Sequence, residues 1–185
     1  MGITLSWDIF IIVFFAIVIT YSFIIGKHGA VKIIIAAYIA AVAIQGIGNI
    51  LMRVTGQSQP ILTVIGLTMD SGSLSIAKLA LFALAIIFIA VRGGISIQYE
   101  KEGGTIVGSL ITGAFGFVTA GLLLSILLTF ISGHLLLDTT LPQAAEGSPV
   151  LQTSKLMQLM ILNQDLWFSL PAILLAGVGF LSNKK

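Results

Sequence analysis

Three groupings in the sequence have the residue types and spacing for chemistry or recognition. Gln45, Asn49 and Arg53 recur at every fourth position, which places them on one face of a helix. Amide side chains in an apolar medium seek partners. Such a face therefore points into a helical bundle, either to bond a neighbouring helix or to line a path for a solute. His134 and Asp138 are also four apart, a spacing that suits one helical turn, but a structural metal site needs more ligands than this pair supplies. Gly108, Thr112, Gly116 and Ala120 repeat with the same period, and Gly121, Ser125 and Thr129 continue the small side on an adjacent row. Small residues in a membrane helix let another backbone come close. This stripe is predicted to pack against a helix of the same chain, with self-association or a pore wall as the sharper alternative.

Other chemistries have less to work with. Asp8, Asp70, Glu100, Glu102, Asp138, Glu146 and Asp165, and both histidines, fall at or beyond the ends of apolar segments. Proton relays and cation-coupled carriers usually hold an ionisable group within a span. The sequence has no cysteine, which removes disulfides, thiolates and zinc–cysteine sites. HExxH, P-loop and GxSxG patterns, and a GxGxxG between strand and helix, are all missing. The residues predict no enzyme activity, no metal and no cofactor.

The elements that must position these residues follow from composition. The 185 residues are 57% hydrophobic and 9% charged, whereas soluble domains run at about 45–50% apolar and about 25% charged. The chain is predicted to be all-α, a polytopic membrane helical bundle of four to five transmembrane helices forming one integral domain over residues 1–185. The net charge of +2 comes mostly from residues at segment ends, so it reports topology and not nucleic-acid binding. The partner it implies is the lipid bilayer, with a homo-oligomer or other membrane proteins beside it.

The spans read as 9–25, 33–52, 76–91 and 105–131, with 166–181 as the fifth. Segments 54–75 and 133–165 read as interfacial or loop. Ser6 or Asp8 can cap the first span. Gly26-Lys27-His28-Gly29 reads as a tight turn that makes the first two spans an antiparallel hairpin. Ser58 and Pro60 can open a short interfacial helix. The stretch 155–168 is amphipathic, with Leu156, Leu159, Met160 and Asn163 on one flank and Trp167 as an interface anchor. The N-terminal MGITLSWD has no basic residue, so it lacks the charged start of a signal peptide, and its match to the myristoylation pattern reads as accidental. With the N-terminus outside, Lys27, Lys32, Arg92, Lys101, Lys184 and Lys185 face the cytoplasm, and Arg53, Lys78 and Lys155 face out. The positive-inside rule favours that arrangement with five spans.

Several of these features, taken together, resemble one family. They are Asp8 opening the first apolar segment, the glycine-and-basic turn at Gly26–Gly29, the charged loop after Arg92, the glycine-spaced stretch from Gly108 to Leu124, and Ser154 opening the late amphipathic stretch. In this pattern the chain, over roughly residues 6–162, resembles the CvpA (colicin V production) family of small bacterial inner-membrane proteins. The resemblance implies a bacterial cytoplasmic membrane location and a role in toxin or peptide secretion or in envelope homeostasis. It carries over no catalytic residues. The alternative from the residues alone is a small solute carrier or channel lined by Gln45, Asn49, Thr112 and Ser125; a membrane-embedded enzyme comes last.

Overall fold

The computed structural model describes residues 7–57, 71–92, 105–132 and 154–182. The described residues are helical almost throughout, in five elements: α1 (Trp7–Gln57), α2 (Ser71–Arg92), α3 (Thr105–Ser132), α4 (Lys155–Leu162) and α5 (Gln164–Ser182). The short helix expected after Ser58 lies outside the described residues, as do the Glu100–Glu102 charge run and the His134–Asp138 pair.

Two helices, Trp7–Ile50 and Ile106–Ile131, are long and apolar enough to cross a membrane, and a third crossing arises if α4 and α5 together form one bent span. At about 1.5 Å per residue, the 51 residues of α1 would reach well beyond the roughly 30 Å hydrocarbon core if they were straight. They are broken at Gly26, whose φ of 71° and ψ of 176° lie in a region open essentially to glycine alone. The expected four-residue turn is thus a single residue, and Lys27 to Lys32 already belong to the second arm. One glycine in this conformation redirects the chain without a loop, which the flanking glycine and basic residues had suggested.

α3 is the centre of the bundle. Of its most apolar stretch, 72% is buried inside the chain, against 11% for α1. The first arm of α1 runs antiparallel to it: Phe23 approaches Gly113, Ile19 and Ser22 approach Gly116, and Phe15 stacks on Phe117 at 5.4 Å. The second arm presents Ala30, Ile34, Ala37, Ala41 and Ile44, a three- and four-residue repeat that makes one buried stripe. That stripe joins Phe115, Leu122, Ile126 and Phe130 of α3, with Phe82 of α2 and Val178 of α5. Phe82 meets Phe130 edge-on, with ring centroids 5.5 Å apart.

α4 and α5 meet at an angle of 65°. Asn163 makes the bend: its backbone N–H bonds the Leu159 carbonyl at 3.2 Å, closing α4. Its own carbonyl accepts from Leu166 at 3.1 Å and Trp167 at 3.2 Å, opening α5. The amphipathic stretch expected over 155–168 is therefore two helices. The flank expected from Leu156, Leu159, Met160 and Asn163 is divided, since Met160 is buried with Met157 and Ile161 while Leu159 and Asn163 are exposed. Both sets satisfy helical spacing, and the neighbouring α1 and α3 select between them. They form a second core under α4 from Ile11, Leu124 and Leu128.

Candidate functional site

The start of α4 is built by both ends of the described chain. Ser154, extended at φ −140° and ψ 120°, accepts a hydrogen bond from the Met157 N–H at 3.0 Å. This is the N-cap geometry that satisfies one of a helix's four orphan amides. The Ser154 hydroxyl then donates to Asp8 Oδ1 at 2.5 Å, and the Leu156 N–H donates to the same oxygen at 3.2 Å. A carboxylate from the first turn of α1 thus serves the N-terminus of α4, where negative charge is favoured by the helix dipole. The first span was expected to be capped by Ser6, which lies outside the described residues, or by Asp8. Asp8 lies inside the first turn of α1 and caps a helix almost 150 residues away along the chain.

The glycine row of α3 is used unevenly. A Cβ on Gly116 would sit 2.9 Å from Ser22 Cβ and 3.2 Å from Ile19 Cα, so the first arm of α1 crosses here at backbone distance. Ala120 is fully buried. Gly108 has open space around it, and the Thr112 hydroxyl donates to the Gly108 carbonyl at 2.9 Å, within its own helix. The tightest glycine contact is on the adjacent row: a Cβ on Gly121 would fall 2.0 Å from Cε3 of Trp167. Trp167, expected as an interface anchor, is instead buried on that glycine and flanked by Phe15 and Phe117 at 5.9 and 5.7 Å. A tryptophan reads as an interface residue from its type, and only the missing side chain at Gly121 gives it a seat inside.

Beside Trp167 is a buried polar cluster that the spacing did not reveal. Gln164 Nε2 donates to Thr129 Oγ1 at 2.7 Å, and Thr129 donates in turn to the Ser125 carbonyl at 2.7 Å. Ser125 Oγ, Gln164 Oε1 and Trp167 Nε1 are buried without a hydrogen-bond partner. Each such atom forgoes hydration, at about 1–3 kcal/mol.

The amide face of α1 is divided between two environments. Asn49 is exposed, and Gln45 is half-buried. Gln45 lies on a cavity of about 580 Å³ between the second arm of α1 and α5, with Tyr38, Val42, Asp165, Phe168 and Ser169 around it. A second, wholly apolar cavity of about 280 Å³ lies between α1 and α4, against Ile11, Phe15, Leu156, Met160 and Trp167. Among the described residues no group of three or more His, Cys, Asp or Glu side chains is placed to hold a metal.

No family model matches the chain, and no curated protein or solved structure matches it. Among the described residues, the class that the helices define is that of an all-helical protein with segments fit to cross a membrane.

Proposed function

We propose that the chain is a non-enzymatic, CvpA-like protein of the bacterial cytoplasmic membrane that supports peptide-toxin secretion or envelope homeostasis, acting through partners or self-assembly. The hydrogen bond between Asp8 and Ser154 carries the reading. These residues open two separate segments of the CvpA-like pattern, and a shared contact gives both a reason to be there. The break at Gly26 supports counting α1 as two spans, because each arm alone suits a bilayer better than the whole. With α2, α3 and α5 this makes five spans, N-terminus outside and C-terminus in the cytoplasm. A small solute carrier or channel is the second reading, favoured by the position of Gln45 on the larger cavity.

Complementation tests the first reading. In a bacterium whose own CvpA-type gene is deleted, the chain should restore secretion of a peptide toxin. An Asp8→Ala variant present at wild-type level in the membrane should not. Selective solute flux through the purified chain in liposomes, with no restored secretion, would move the assignment to the carrier. For topology, a single cysteine at position 185 should resist an impermeant reagent applied from outside; labelling there would overturn the five-span arrangement.

A further inference from the structure

The cavity between α1 and α5 has a chemical bias that its lining residues make legible. Its volume of about 580 Å³ is within the usual range for small-molecule sites, about 300–1,000 Å³. Ala41 and Val42 supply apolar lining, Val42 at the open side, and the rings of Tyr38 and Phe168 lie beside each other with centroids 6.2 Å apart. Gln45 offers an amide with both donor and acceptor, and the other polar groups are arranged to accept. The Tyr38 hydroxyl donates to the Phe168 carbonyl, so its proton is committed to that bond. The Ser169 hydroxyl donates to the Asp165 carbonyl at 2.6 Å, leaving its oxygen as an acceptor only. Asp165 adds a carboxylate, which when ionised can only accept. Among the described residues no cation is paired with it. Its place in the first turn of α5 suits the helix dipole, but that leaves its oxygens free for a ligand.

We infer that this cavity binds the ammonium group of an amphipathic amine, with Asp165 and Ser169 accepting its N–H donors and the Tyr38 and Phe168 rings beside it. An ammonium offers three donors and a positive charge, which answers both the acceptor excess and the unpaired carboxylate. Aromatic faces attract the same charge, and the apolar lining from Ala41 and Val42 receives the attached hydrocarbon. The chemistry is shared by an aminophospholipid headgroup and by a free long-chain amine. The inference stands independently of the CvpA-like reading.

The full chain in phosphatidylcholine nanodiscs tests it, with n-decylammonium as the soluble probe and phosphatidylethanolamine as the lipid probe. Native mass spectrometry reads retained ligand. Asp165→Asn, at an exposed position, and Val42→Trp, which adds bulk at the open side of the cavity, should each lower retention about tenfold or more, since a charge-assisted hydrogen bond is lost or blocked. n-Decyltrimethylammonium, which has the charge but no N–H donor, should bind more weakly than n-decylammonium. Retention of phosphatidylethanolamine that is sensitive to Asp165→Asn assigns the site to a lipid headgroup. Retention of n-decylammonium alone assigns it to a soluble amine. Equal retention by the wild type and both variants, or no retention of either probe, overturns the proposal.

Discussion

If Asp8 and Ser154 act as one cap, removing either should loosen α4 while leaving the central helix intact. Asp8→Ala deletes the acceptor of two hydrogen bonds, from the Ser154 hydroxyl at 2.5 Å and the Leu156 amide at 3.2 Å. Bonds to a charged group contribute about 1.5–3 kcal/mol each in favourable settings. Asp8 is only half-buried, so solvent screening brings the expected total to about 2–3 kcal/mol. Ser154→Ala loses the Met157 cap and the donor to Asp8, with an expected cost of about 1–2 kcal/mol. The Ser154–Asp8 bond is removed in both single variants and can be lost only once. The double variant should therefore fall short of the sum of the singles by about 1 kcal/mol.

Amide hydrogen exchange in nanodiscs reads this directly. Local opening of α4 controls exchange across Lys155–Leu162, and about 1.4 kcal/mol is tenfold in rate. Asp8→Ala should accelerate that segment about thirtyfold or more, while α3 exchanges as in the wild type. Ser154→Thr, which keeps a capping hydroxyl, should retain most of the protection. Strictly additive effects of the two alanine variants would refute the shared cap, and so would unchanged exchange in Asp8→Ala.

Two further substitutions test the packing of α3 against α5. Gly121→Ala places a methyl group 2.0 Å from the buried Trp167 ring, so it should destabilise the bundle by about 1–3 kcal/mol in reversible unfolding from mixed micelles. Trp167→Leu in the same chain should recover part of that loss, and full tolerance of Gly121→Ala alone would show that the ring has room to move. Gln164→Met should be neutral or stabilising by about 1–2 kcal/mol, because it removes the unpartnered Oε1 while Thr129 keeps its bond to the Ser125 carbonyl. A marked loss of stability in Gln164→Met would mean that the Gln164–Thr129 bond outweighs the unpartnered oxygen.

Much of the fold was legible because apolar period and length are strong signals in a chain this hydrophobic. The segments expected at 76–91, 105–131 and 166–181 are helical, inside α2, α3 and α5, and those at 9–25 and 33–52 fall on the two arms of α1, although only Trp7–Ile50 and Ile106–Ile131, with the bent α4–α5 pair as a third, are long and apolar enough to cross a membrane. The signal weakened where one residue decides. Two glycines, Gly26 and Gly29, mark the expected turn, but only Gly26 takes a positive φ. A sequence does not say which glycine of a cluster takes the conformation that only glycine tolerates. Pairing between distant residues was less legible still. Asp8 and Ser154 were each visible as caps, whereas their mutual bond is set by how α4 lies across α1 and α3. The seat of Trp167 on Gly121 joins two residues that were assigned separately, one to a packing row and one to an interface. The acceptor bias of the α1–α5 cavity depends on where the Tyr38 and Ser169 protons point, which spacing does not encode.

The small-residue stripe of α3 bears directly on how this protein would assemble. Gly116 and Ala120 are covered by the chain's own helices, and Gly121 is filled by Trp167. A second copy could reach those positions only by displacing Ile19 and Ser22 or the tryptophan. The first two turns of α3 differ, for Ile106 and Leu110 are 85% and 75% exposed and Gly108 has open space around it. Among the described residues, further open apolar surface is spread over the other helices, with Ile12, Ile17 and Ile24 on the first arm of α1, Val42 and Ile50 on the second, Leu84 and Phe88 on α2 and Ile173 on α5, and with Phe117 and Ile131 on α3 about half exposed. The Gly108 end is therefore the part of the stripe that the chain's own helices leave open. The buried remainder of the stripe holds one protomer together, because helices that cross at backbone distance leave no gap for another to enter.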